Sequence, residues 1–260
     1  MFRFFYRILP LALVVFLLSV SIPVSAAEAQ TSVDSGTKVF TSDYKDYDGN
    51  IVGTETKKIT IDAPVYDSEG TKSITISETV SYNFDNDFEF KDKIKGETIV
   101  TVFSVDKDGN NYVNNELVVQ EPYEQPQIST RDSGGHWKYT YYNGDNPSTQ
   151  VYMYTGSGVS FDMRDVKNAY KEVYLMKNTT NNPKISDFKM YATQVSNSYD
   201  SYNNYGGMYA LEILGVVGAI PFANAIAAIA AGGVVVWTAY QGYSAWSSMN
   251  QAMANAYSLL

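Results

Sequence analysis

The chain has 260 residues, of which 19 are basic and 28 acidic, for a formal net charge of -9 at pH 7. It contains no cysteine, which excludes disulfides, cysteine nucleophiles and thiolate metal sites. The acidic balance is a poor match for nucleic acid or for electrostatic capture on anionic lipid, both of which reward clustered Lys and Arg.

Arg3 and Arg7, an apolar run from Leu9 to Val20, and small residues at Val24-Ser25-Ala26 or Ala27-Glu28-Ala29 read as a secretory signal peptide over 1–26. The apolar run is short for a bilayer span, so a secreted, extracellular protein is expected. Loss of the two arginines leaves 17 basic and 28 acidic residues, a net charge near -11. Without disulfides the stability of the exported chain must come from packing, which about 230 residues supply as one large domain or two modest ones.

Residues 27–36, rich in Ser, Thr and Gln, read as a flexible leader. Over 37–120 the pattern is β. Ile59 and Ile61 alternate with polar neighbours, as do Ile74, Ile76, Val80, Tyr82 and Phe84, and period two marks a half-buried strand. "ETIVTVFSV" (97–105) is apolar on both faces and reads as a central strand. "DYDGN" (46–50) and "DKDGN" (106–110) stand between strand-like stretches, and Asp-Gly suits the positive φ of a hairpin turn. The alternative use of these aspartates is calcium. An EF-hand loop wants Gly at its sixth position and Glu at its twelfth, whereas here Gly directly follows the second Asp.

The prolines, polar residues and Gly pair of 121–134 read as a linker. A hairpin is expected over 135–161, where "HWKYTYY" sets Trp137, Tyr139 and Tyr141 on one face and "TQVYMY" returns. From 162 to 260 the period becomes helical. Asp162 is a candidate cap for Met163, Val166, Ala169, Tyr170 and Val173 on one face. Ser186 is a second candidate cap, for Phe188, Tyr191, Ala192, Val195, Tyr199 and Tyr202, and Gly206-Gly207 ends that helix. The fold class expected is α+β: an N-terminal antiparallel region of hairpins, sandwich-like, then a C-terminal helical region with an apolar helical hairpin.

Residues 213–236 carry no charge and as one helix would measure about 36 Å, enough for a bilayer core of ~30 Å. Pro221, Asn224 and Gly232-Gly233 interrupt that helix, so two shorter ones, near 208–219 and 222–231, fit better. A third helix follows from about Val234 to Tyr257, with Val236, Tyr240, Tyr243, Trp246, Met249, Met253 and Tyr257 as its apolar stripe. Ala219, Ala223, Ala227 and Ala231 recur every four residues, and such a ridge lets helix backbones approach closely in lipid or in a protein core. Ile226 and Ile229 supply bulk on the opposite side. No basic residue follows Lys189, which disfavours a permanent anchor held by cytoplasmic Lys or Arg. Two uses remain open: a hairpin buried in the protein's own core, or a segment delivered into a foreign bilayer. In the second, Trp237, Tyr240, Tyr243 and Trp246 would sit at the interface. The candidate membrane-interaction residues are Ala219, Ala223, Ile226, Ala227, Ile229, Trp237, Tyr240 and Trp246.

No enzyme is expected. His136 is the single histidine and reads as an ordinary strand residue. There is no G-x-S-x-G elbow, a zinc site would have to lean on carboxylates, and no phosphate-cradling loop occurs. No cofactor and no metal are expected.

"YGGMYALEILGVVGAIPFANAIAAIAAGG" (205–233) and the Trp/Tyr-bearing "VVVWTAYQGYSAWSSMNQAMANAY" (234–257), with the leader and the acidic β-rich body, resemble the large secreted bacteriocins of the geobacillin type. The resemblance covers about the last third of the chain and is one of character. It implies inhibition or killing of related bacteria at their envelope. Many small membrane-active bacteriocins are cationic and this chain is acidic, so a receptor or hydrophobic insertion would have to bring it to its target. The expected function is therefore a bacteriocin-like antibacterial protein with a target-cell membrane or envelope receptor as partner and no nucleic acid. The alternative is a non-enzymatic secreted or envelope-associated structural or binding protein with the C-terminal helices as its core.

Overall fold

In the computed structural model, which describes residues 36–118, 140–143, 150–155, 171–207, 210–211, 214 and 234–260, the alternating stretches become strands. They are β1 (Gly36–Lys45), β2 (Ile51–Ile61), β3 (Val65–Tyr66), β4 (Lys72–Phe84), β5 (Glu97–Val105), β6 (Asn111–Val113) and β7 (Glu116–Leu117). All pairings are antiparallel. The sheet runs β1-β2-β4-β5-β6-β7, with β3 beside β4. β1 opens at Gly36, so the leader expected over 27–36 loses its last residue to the sheet. The expected signal peptide and the rest of the expected leader lie outside the described residues, as do the expected linker over 121–134 and His136.

Strand β5 is internal only in its second half. β6 pairs with Phe103, Ser104 and Val105 alone, leaving Val100 exposed. The expected turns join the expected strands. Asp46 Oδ1 accepts the amides of Asp48 and Asn50 at 2.9 and 2.8 Å. Asp106 does the same for Asp108 and Asn110. A third copy, "DSEGT" (67–71), repeats it with Asp67, Glu69 and Thr71 between β3 and β4. In each the fourth residue, Gly49, Gly70 or Gly109, has φ between 85° and 88°, where a Cβ would be strained.

A second, three-stranded sheet, ordered β10-β9-β8, holds β8 (Thr140–Asn143), β9 (Gln150–Thr155) and β10 (Lys171–Met176). The expected hairpin survives as the β8–β9 pair. The helix expected from Met163 through Val173 is corrected at its end: Lys171–Met176 is a strand, antiparallel to β9. Val173 and Leu175 pack inward while Tyr174 and Met176 are exposed, a period of two that a neighbouring strand rewards. Residues 163–170 lie outside the described residues.

Two helices complete the described fold: α1 (Asn182–Asn204) and α2 (Val234–Ser258). Helix α1 starts one turn before Ser186, with Asn181 as its N-cap residue and a proline in the first turn. It ends, as expected, at Gly206 and Gly207, both at positive φ. The helices pack antiparallel. Phe188 and Ala192 meet Ala256, Val195 meets Met249 and Met253, and Tyr202 meets Ala245. The far end of the pair covers Met153 of the small sheet. The near end of α2 covers the inner face of the large sheet, where Ile59, Ile74, Ile76 and Phe103 pack against Trp237, Ala239 and Tyr240.

Candidate functional site

Of the expected membrane-interaction residues, Trp237, Tyr240 and Trp246 are described, and all three pack inward. Trp237 and Tyr240 are only 4% and 1% exposed, within the large sheet's core. Lys38 holds its ammonium 4.7 Å from the centre of the Trp237 ring. Trp246 lies farther along α2, half-buried against α1 and Leu211. Ala219, Ala223, Ile226, Ala227 and Ile229 lie outside the described residues. Among the described residues no helix is long and apolar enough to cross a membrane.

The stripe expected on α2 is wider than one face. Gln241 and Ser244 are buried too, because the helix enters between the large sheet and the segment around Ala210. A Cβ on Gly242 would stand 2.5 Å from the Ala210 Cβ.

Beneath this helix lies a cluster that the sequence reading missed. Glu55 and Lys57 project from one face of β2, and Glu78 projects from β4 diagonally across the ladder, opposite Ile59. Lys57 Nζ stands 3.4 Å from Glu78 Oε1 and 3.8 Å from Glu55 Oε2. Ser244 of α2 joins them, accepting from Lys57 Nζ at 3.2 Å and donating to Glu78 Oε1 at 2.8 Å. Tyr82 donates to Glu55 Oε1 at 3.2 Å. Glu78 is 1% exposed, and its Oε2 has no hydrogen-bond partner among the described residues. The signal was present in the pattern. Glu78 sits in phase with Ile74, Ile76 and Val80, and Glu55 and Lys57 in phase with Ile59 and Ile61.

Electrostatics follow from this geometry. Burial works against the Lys57 charge, but the Glu55 and Glu78 carboxylates outweigh it and raise its pKa. Burial, and then the Glu78 charge, raise the Tyr240 phenol. Burial alone pushes Tyr243 up to about 12. A serine–lysine nucleophile needs a neutral amine to take the serine proton. Here the amine is held cationic and the serine hydrogen already points at a carboxylate, so the arrangement ties a helix to a sheet rather than activating Ser244.

The aspartate turns have their oxygens engaged as well. Asp106 Oδ2 accepts from Asn110 Nδ2 at 2.8 Å and from the Tyr112 hydroxyl at 3.1 Å. Among the described residues no three His, Asp or Glu side chains converge as a metal site. No family model, curated protein or solved structure matches this chain.

Proposed function

We propose that the chain is an exported antibacterial protein that acts at the envelope of a target cell, with the uncharged segment 215–233 as its working part and α2 as the element that carries it. The observation behind this reading is that Leu214 and Trp237, which flank the segment, belong to one core cluster. A continuous helix between them would separate its ends by about 33 Å. A path that begins and ends at that cluster suits a hairpin, for which Pro221 supplies a break and the Ala219–Ala231 ridge supplies two closely packing legs. Legs of about ten residues reach roughly 15 Å, half of a ~30 Å bilayer core. Such a hairpin disturbs one leaflet while the β body stays folded, and crossing further requires α2 to follow. The acidic body makes a receptor the means of arrival.

The test is survival of related Gram-positive bacteria, and dye release from lipid vesicles, on addition of residues 27–260. Killing and release that vanish in Ala227→Asp, with the fold unchanged by circular dichroism, are expected. A folded, monodisperse protein inert in both assays sinks the reading.

The burial of Trp237 and Tyr240 favours a second reading: a non-enzymatic secreted or envelope-associated binding protein in which these helices are only core. It predicts that truncation after Gly207 leaves an insoluble chain, because Ile59, Ile74 and Phe103 lose their cover. A soluble, folded fragment would count against it.

A further inference from the structure

We propose that the Glu55–Lys57–Glu78 triad makes the first half of α2 a detachable cover, held shut by Ser244 and primed to open by the buried charges beneath it. This deepens the antibacterial reading and rests on it for its purpose, though not for its test.

The distribution of charge carries the argument. All three ionised groups belong to the sheet, and α2 has no charged residue along its length. Lifting the helix therefore breaks no ion pair, because Lys57 stays between its two glutamates. While the helix is down, the Glu78 carboxylate and the Lys57 ammonium are kept from water, Glu55 stays partly exposed, and Glu78 Oε2 has no hydrogen-bond partner among the described residues. Burying such a group is costly, and apolar residues of similar volume often hold an interface better. The triad thus taxes the closed state and is relieved in the open one.

Ser244 bonds directly across the gap, once to Lys57 and once to Glu78, and the Tyr240 hydroxyl is hydrogen-bonded toward Thr101 and Glu78. Beyond these, the cover is closed by apolar contacts of Trp237, Ala239 and Tyr240 and by the Lys38 ammonium over the Trp237 ring. The second half of α2 has a different arrangement. Met249, Ala252 and Met253 pack on Val195 of α1 without buried charge. Opening is therefore confined to about 237–245, the half that leads directly from the uncharged segment.

Amide hydrogen exchange of the exported chain tests this. Residues 237–245 should exchange through a partial opening, faster than the buried amides of β4 and β5. The triple variant Glu55→Gln, Lys57→Met, Glu78→Leu keeps a partner for Tyr82 and removes the buried charge. It should slow 237–245 about ten- to a hundredfold and raise the thermal midpoint by several degrees. Ser244→Ala should speed the same amides and leave β4 and β5 unchanged. The proposal is overturned if the triple variant exchanges at the native rate, or fails to fold. It is equally overturned if Ser244→Ala leaves 237–245 as they were. Absence of killing by the native protein bears on the antibacterial reading alone, because the exchange rates are measured without any target.

Discussion

Replacing Gly242 by alanine sets two effects of known size against each other. In a helix interior alanine is favoured over glycine by about 1 kcal/mol, so on α2 alone the change should stabilise. The new Cβ, however, would lie 2.5 Å from Ala210 Cβ and 3.2 Å from the Tyr205 carbonyl oxygen. Carbon atoms settle near ~3.5–4.0 Å, so about 1 Å must be absorbed by groups that are short or part of the backbone. Overpacking of this kind costs about 1–3 kcal/mol. The expected net effect is a loss of up to about 2 kcal/mol, a drop of up to about 8 °C in a chain of this size. Ala210→Gly removes the obstructing atom, so the double variant should recover at least about 1 kcal/mol relative to the sum of the singles. Urea unfolding of all four proteins, followed by circular dichroism, supplies the cycle. If Gly242→Ala stabilises by its full helix preference and the coupling is zero, α2 does not seat against the 205–211 segment and the covered-sheet description fails with it.

Two further outcomes are expected. Asp67 and Asp106 have lowered pKa values, Asp67 chiefly through the Thr71 amide and Asp106 chiefly through the Asn110 side chain. A depressed carboxylate contributes stability that is present above its unfolded value of ~3.9 and lost as pH falls through the folded one. Carboxyl titration by NMR should therefore place both midpoints below that value, and midpoints at or above it refute the turn geometry. Asn197 of α1 donates to the Lys45 carbonyl at 2.7 Å and accepts its amide at 2.9 Å, closing the outer edge of β1 as a neighbouring strand would. Asn197→Ala should lower the thermal midpoint by about 2–4 °C, the share of one net hydrogen bond, and increase self-association by light scattering. An unchanged scattering profile would show that this edge needs no guard.

The parts of the fold that were legible are those in which local pattern and long-range packing agree. Ile59 and Ile61, or Ile74 and Ile76, alternate because a sheet face is buried, and the same residues form the observed core. The aspartate turns were legible because an Asx side chain and a glycine at positive φ act within five residues. The strand Lys171–Met176 was not, since Val166, Ala169, Tyr170 and Val173 also satisfy a helical period, and only β9 decides between the two. The buried triad was illegible for a related reason. The charges of "TETKKIT" gain their cover only from a helix more than 180 residues away, as the contact from Lys57 to Ser244 shows. The one advertisement was the phase of the charges: Glu78 falls in step with Ile74 and Ile76, and Glu55 and Lys57 with Ile59 and Ile61. For the same reason Gln241 and Ser244, which stand outside the expected apolar stripe of α2, are buried: a helix inserted between two partners has no wet side there.

The inner face of the large sheet is complete early in the chain and covered late. Strand β5 ends at Val105, and Trp237 arrives roughly 130 residues afterwards. At ~5–20 residues per second of synthesis, the interval is on the order of ten seconds. Contacts so distant in sequence also close slowly once the chain is free. Throughout that interval Ile59, Ile74, Ile76 and Phe103 have no cover from α2, so the early strands gain little by pairing ahead of time. Under the export proposed above, late delivery of the lid would leave the early part pliable during passage through a narrow translocation channel.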